Sequence, residues 1–232
     1  MLELKDLRIE AGDFALEADL DLASGGRIAV IGPSGAGKST LLDAIAGFRA
    51  PSRGQVIWNG RDITDAPPAE RPVGVLFQDQ NLFPHLDLDR NLALALRPSG
   101  GRPTKEERAR ISDALERVGL AGLGARKPGA LSGGQQSRAA LARLLLQDRP
   151  VWLLDEPFAA LGPALKREML ALLDETAKAQ GALVLLVTHD PKDARQMTET
   201  VLVADGRAEA PVETEALLAD PPPSLAAYLG QE

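Results

Sequence analysis

The run Gly32-Pro33-Ser34-Gly35-Ala36-Gly37-Lys38-Ser39-Thr40 carries the densest chemistry in the chain and follows the apolar stretch Ile28 to Ile31. Its glycines let successive backbone N–H groups turn inward around a polyphosphate. A helix expected from Leu41 to Ala46 adds the partial positive charge of its N-terminus. Lys38 supplies a full cation for the β- and γ-phosphates, and the Ser39 hydroxyl is a ligand for Mg²⁺. The spacing satisfies G-x-x-x-x-G-K-S/T in full, which outweighs a bare glycine-rich turn and predicts a nucleoside triphosphate site.

Asp155 and Glu156 close a second apolar stretch, Val151 to Leu154. In a parallel sheet the carboxyl ends of the strands face the ligand, so both acids are expected beside the phosphates. There Asp155 would hold Mg²⁺ through its water shell, and Glu156 would polarise an attacking water as general base. Leu131-Ser132-Gly133-Gly134-Gln135 offers a hydroxyl, backbone donors and a helix start, all suited to a phosphate. Taken singly, that segment is only a flexible helix start, and His189 after Val187-Thr188 is an ordinary structural histidine.

The elements that must position these groups follow from hydrophobic period. Residues 3–22 alternate apolar and polar side chains (Leu4, Leu7, Ile9, then Phe14, Leu16, Ala18, Leu20, Leu22), the period of half-buried antiparallel strands. Gly54 to Gly60 reads as a strand closed by an Asn-Gly turn, and Val73 to Phe77 as a short buried strand ending at Gln78. From about Asp79 to Ala130 strand signals stop. A capping box at Thr104 to Glu107 opens a helix with Ile111, Ala114, Leu115 and Val118 inward, ended by Gly119, and a second helix runs from about Gly134 to Gln147. Strand and helix then alternate again: Val151 to Leu154, Pro163 to Lys178, Ala182 to Val187 and Val201 to Ala204. Continuous apolarity in these strands predicts burial on both faces. The fold class is α/β, a mostly parallel sheet between helices with an antiparallel β part. We read one domain over 1–232, with an α/β core of 1–78 and 148–232 and an inserted helical subdomain of 79–147.

With 232 residues the chain is long enough for one sizeable core, and it has no cysteine for disulfides or thiolate metal sites. Met1 to Asp6 lacks the basic start and long apolar centre of a signal peptide, and no apolar run reaches the ~18 residues that span a bilayer. A soluble, unexported protein is expected. A net charge of −7 disfavours a sequence-independent grip on nucleic acid.

In order and approximate spacing, the Walker A run Gly32 to Ser39, Gln78, the signature Leu131 to Gln135, the Walker B strand through Asp155-Glu156 and the switch His189 resemble the ATP-binding-cassette ATPases over nearly the whole chain. The resemblance implies a P-loop NTPase cassette fold and hydrolysis of ATP with Mg²⁺, coupled to transport. It also implies head-to-tail pairing with a second copy, so that ATP on one Walker A run is capped by Ser132, Gly133, Gly134 and Gln135 of the other. By the same resemblance Gln78 helps ligate Mg²⁺ and reports occupancy to a partner, while His189 contacts the γ-phosphate and orients Glu156. Asn81-Leu82-Phe83-Pro84-His85-Leu86 looks like the surface that receives a helix from a transmembrane permease subunit; ordinary packing of Leu82 and Phe83 accounts for it equally well.

Within that family the short length without a C-terminal regulatory domain, together with Ala46-Gly47-Phe48, Asn81 to Leu86 and Asp155 to Leu165, looks most like the ATPase subunits of bacterial thiamine importers. Those sit on the cytoplasmic face of the inner membrane, with a periplasmic binding protein and the membrane subunits selecting the cargo. An importer of iron, sulfate, molybdate or polyamine is the close alternative. Three departures stand out: Gly162 lies where members commonly have an acid, the adenine-stacking aromatic expected near Ala11 is missing with Phe14 as a substitute, and Gln136-Ser137-Arg138 replaces the more usual Gln-Arg-Gln-Arg style. A soluble cassette ATPase acting on nucleic acid or ribosomes is the rival class, but residues 78–131 have neither length nor heptads for its coiled coil. A small-molecule kinase would leave the signature without a role.

Overall fold

The computed structural model describes residues 1–77 and 82–229. In chain order the elements are β1 (Leu2–Ala11), β2 (Phe14–Leu22), β3 (Arg27–Ile31), α1 (Lys38–Ala46), β4 (Arg53–Trp58), β5 (Arg61–Asp62), β6 (Val73–Leu76), α2 (Leu88–Leu96), α3 (Lys105–Arg117), α4 (Gly133–Leu145), β7 (Val151–Asp155), α5 (Pro163–Gln180), β8 (Leu183–Val187), α6 (Pro191–Ala194), β9 (Glu199–Ala204), β10 (Arg207–Ala208), β11 (Val212–Glu213), α7 (Thr214–Ala219) and α8 (Pro223–Leu229). They group into two compact units, one made of Met1–Val73, Pro150–Glu156 and the chain from Gly181 onward, the other of Gly74–Arg149 and Pro157–Gln180. Helix α5 thus groups with α2 to α4. No helix among the described residues is long and apolar enough to cross a membrane.

The first unit is built on a sheet whose strands run in the order β5-β4-β1-β2-β10-β9-β3-β8-β7, with β11 on β9. β3 pairs in parallel with β8 and β9, and β7 in parallel with β8, while β1, β2, β4 and β5 are joined antiparallel. The two kinds of pairing match the two sequence patterns. β3 and β8 are buried at every position, whereas β1 and β2 bury alternate residues. Each fully buried Leu, Ile or Val contributes about 1.5–3 kcal/mol over leaving it exposed.

The spacing of Leu4 and Leu7 breaks period two, and the structure shows why both still point inward. The β1 register shifts between them, at Lys5-Asp6, where Asp6 takes a φ of 49°. Gly54 of β4 lies against the Lys5 and Asp6 carbonyls, too close for any side chain. At the far end of α1, Arg71 is 1% exposed and donates to the carbonyls of Ala44 (2.7 Å), Ile45 (2.8 Å), Ala66 (2.9 Å) and Thr64 (2.6 Å). This guanidinium satisfies the last carbonyls of the helix that starts at the phosphate loop.

In the second unit α2 packs on α3 and α4. The sequence left 79–103 without a named helix, yet α2 begins at Asp87, whose carboxylate accepts from Arg90 N. Asn91 is fully buried and its side chain binds the Phe83 amide and the Phe83, Leu86 and Asp87 carbonyls, fixing the loop ahead of the helix. The capping box at Thr104 and Glu107 forms, and Arg138 of α4 donates to the Val118 and Gly119 carbonyls beyond α3.

Candidate active site

Parallel register assembles the first half of the site. Val30 of β3 is level with Val187 of β8, and Val187 is level with Asp155 of β7. Three neighbouring strands therefore end together, and the groups just past their ends share one edge: Gly32 with the phosphate loop, Glu156, and His189. The loop needs glycine where it passes its neighbours. A side chain on Gly32 (φ 150°) would overlap the Val203 carbonyl, and one on Gly37 (φ 104°) would meet the Phe14 ring at 2.9 Å.

Gly37 is also the N-cap of α1, and no side chain caps it. Lys38 extends back along the loop, its Nζ donating to the Gly32 and Pro33 carbonyls at 2.8 Å each. Burial pushes the Lys38 ammonium below its ordinary value, with the Glu156 and Asp155 carboxylates pulling the other way. The cation is thus partly desolvated and aimed at an edge that carries two acids, a poise that a polyanion would relieve.

Glu156 takes a φ of 45°, a left-handed conformation costing a non-glycine roughly 1–2 kcal/mol. Its amide is held by the Val187 carbonyl at 3.1 Å. The turn swings its carboxylate to His189, whose Nδ1 lies 3.2 Å from Oε2. The backbone around His189 is pinned in turn: Thr188 Oγ1 donates to Asp193, 6% exposed, at 2.9 Å and accepts from Asp190 N at 3.1 Å. No motif flags Thr188 or Asp193; the available signal was an acid spaced to face its own strand end from α6.

The described residues contain no group of three or more His, Cys, Asp or Glu able to hold a metal. What the edge offers instead is the exposed Ser39 hydroxyl and the half-buried Asp155 carboxylate. So sparse a set of hard oxygens fits Mg²⁺, which keeps several waters and takes the remaining ligands from substrate phosphates. Gln78 and Asn81, also expected at functional positions, lie outside the described residues. Ala11 pairs with Phe14 across the β1–β2 turn, and it is Phe14 whose ring rests against Gly37.

The second unit holds the serine-glycine segment. Ser132 is the N-cap of α4 in a closed capping box: its Oγ accepts from Gln135 N at 3.3 Å, and Gln135 Oε1 accepts from Ser132 N at 3.0 Å. Gly134 lies against the Leu161 side chain, and an added Cβ would approach it to 3.0 Å. Gly162 precedes α5, and its carbonyl accepts from Lys166 N at 2.9 Å. Of the stretch expected to meet a partner, Phe83 is 45% exposed and its ring meets that of His85 edge-on at 6.1 Å.

Residues 16–159 match the family model described as ABC transporter. The chain is 65% identical over 231 residues, 99% of its own length and 100% of the relative's, to the thiamine import ATP-binding protein ThiQ of Cereibacter sphaeroides. It is 54% identical over the same coverage to the protein of that name from a Ruegeria species. Among solved structures, the dimeric post-hydrolysis state of the ATP-binding cassette MJ0796 bound to ADP and Pi is similar with a TM-score of 0.82 and 30% identity, covering 92% of this chain and 99% of that one.

Proposed function

Because the chain belongs to the ABC transporter ATPase family, we propose that it is the ATP-hydrolysing subunit of a bacterial thiamine importer. Near-full-length likeness to thiamine import ATP-binding proteins supports the cargo. The observation that carries the chemistry is the common edge of β3, β8 and β7, where Lys38, Glu156 and His189 come together.

The loop amides of residues 32–40 cradle the phosphates, and Lys38 exchanges its two carbonyl partners for phosphate oxygens. Glu156 takes the proton of the attacking water as that oxygen bonds to the γ-phosphorus and the bridge to the β-phosphate breaks, giving ADP and phosphate. His189, with a proton on each ring nitrogen, donates from Nδ1 to the Glu156 carboxylate and from Nε2 to the γ-phosphate. Ser39, Asp155 and Gln78 would hold Mg²⁺, which when bound neutralises phosphate charge. Ser132, Gly133, Gly134 and Gln135 of a second copy cap the same nucleotide in a head-to-tail dimer; the dimeric cassette structures support that arrangement. Permease subunits hold the ATPase peripherally at the cytoplasmic face of the inner membrane, and the 82–86 stretch with exposed Phe83 is the proposed contact.

Replacing Glu156 by Gln tests this directly. ATP binding should persist, turnover should fall about 10²–10⁴-fold, and a dimer should accumulate in ATP. A variant that hydrolyses at the parental rate, or stays monomeric in ATP, overturns the assignment. For the cargo, the reconstituted complex should show ATPase stimulation by a thiamine-loaded binding protein. Stimulation only by an iron, sulfate, molybdate or polyamine binding protein would replace thiamine.

A further inference from the structure

Ser132 must be held where another molecule can find it, yet the chain reaching it is a loop. The three-residue turn Pro128–Ala130 precedes it, closed by Ala130 N on the Lys127 carbonyl (2.9 Å) and Leu131 N on the Pro128 carbonyl (3.0 Å). Beyond that turn only Leu131 separates the turn from the helix cap. Leu131 is 8% exposed, so its carbonyl has little access to water and needs a partner from the protein.

Gln136 supplies it. Helical side chains lean toward the N-terminus of their helix, so a residue four positions after the cap lies back over the cap itself. Gln136 Nε2 donates to the Leu131 carbonyl and to the Pro128 carbonyl, both at 3.2 Å, while Gln136 N donates to the Ser132 carbonyl at 2.9 Å. One residue therefore fixes the carbonyls on either side of the Leu131–Ser132 link and ties both to the start of the turn. Ser137, 1% exposed, adds a bond from its hydroxyl to the Gly133 carbonyl at 3.2 Å.

We propose that Gln136 is a positioning residue for Ser132: its carboxamide N–H groups set the path of the chain into α4, and so the placement of the serine that closes on the nucleotide of a second copy. This rests on the dimer reading above. Gln136 touches neither nucleotide nor water in that scheme and acts only through Ser132. What it needs is donors, since both of its side-chain partners are carbonyls. A guanidinium can serve the same purpose, because Arg71 and Arg138 in this chain each bind pairs of carbonyls.

The test places Gln136→Glu, Gln136→Ala and Gln136→Arg in the Glu156→Gln background. Dimer formation in saturating MgATP is followed by sedimentation over a range of protein concentrations, and ATP affinity is measured at concentrations where the protein is monomeric. A glutamate side chain would match the glutamine in shape but offer no donor. The Glu and Ala variants should weaken dimerisation about tenfold with monomer ATP affinity unchanged, and the Arg variant should stay within about twofold of the parent. Unchanged dimerisation of the Glu variant, an Arg variant no better than Ala, or loss of monomer ATP affinity in step with dimerisation would each overturn the proposal. If Glu156→Gln alone remains monomeric, the dimer reading itself fails, an outcome separate from those three.

Discussion

Helix α1 starts at Gly37, which has no side chain to cap the first turn, whereas α4 starts at Ser132, whose hydroxyl and the Gln135 carboxamide cap each other's amides. Each of these helix starts is rich in glycine and each reads from sequence as phosphate-binding, yet they are finished differently. The first has no side-chain cap and keeps Lys38 on two carbonyls nearby. The second caps two of its own amides, those of Ser132 and Gln135, without any ligand. An uncapped terminus suits the primary grip on a nucleotide; one whose path is fixed by its own cap suits a surface that arrives ready-made against a nucleotide held elsewhere. A third helix start, that of α5 behind Gly162, has no side chain at that position to cap it.

Removing the cation should strike only the open terminus. Lys38→Ala should lower ATP affinity of the monomer about 10–100-fold, the range for losing charge-assisted hydrogen bonds. Equal affinity in the two proteins, measured by titration calorimetry, would break the contrast. Titrating the same group sharpens it. Burial places the Lys38 ammonium below the 10.5 of an exposed lysine, so ATP affinity should fall with rising pH from a point below that value. Stability responds with the opposite sign. The native state releases this proton more readily than the unfolded chain, so the destabilisation it causes at lower pH is relieved as pH climbs through the native pKa toward 10.5.

Ser132→Ala should instead leave monomer ATP affinity unchanged while lowering folding stability by about 1 kcal/mol, the usual cost of a lost N-cap. A fall in monomer affinity would show that the two termini are not independent. The smallest effect is expected at α5, where Gly162→Asp should add a side-chain cap and raise stability by a few tenths of a kcal/mol in a denaturant titration.

Much of this was legible in sequence, for physical reasons that can be named. Unbroken apolar runs announced β3, β7 and β8, and the capping box at Thr104 was visible as a hydroxyl-x-x-carboxyl spacing; the one at Ser132, whose residues read as a phosphate site, was not. Lys38 and Glu156 stand out because each sits in a spacing with a chemical purpose, and His189 only through the family resemblance. Their convergence was not legible: β8 comes after β7 in the chain but lies between it and β3, and only the pairing reveals that Val187 is level with both Val30 and Asp155. The irregularity at Lys5-Asp6 was hidden because period two has no symbol for an extra residue. Helix α2 was missed because its cap, Asp87, lies among proline, histidine and acidic residues that read as loop, and buried Asn91 interrupts its apolar face.

The placement of β8 between β3 and β7 also governs when the protein becomes competent during synthesis. The phosphate loop is translated long before the two strands that must lie beside β3, β8 and then β9. Until Leu183–Val187 is free of the exit tunnel, the Glu156 turn lacks the Val187 carbonyl that holds it, and until Glu199–Ala204 follows, the loop strand lacks its second neighbour. Such long-range parallel pairing is slow to form and leaves hydrophobic edges uncovered meanwhile. Nascent chains released before this point should therefore fail to retain ATP and should engage chaperones, which makes nucleotide capture a report that translation has passed β9.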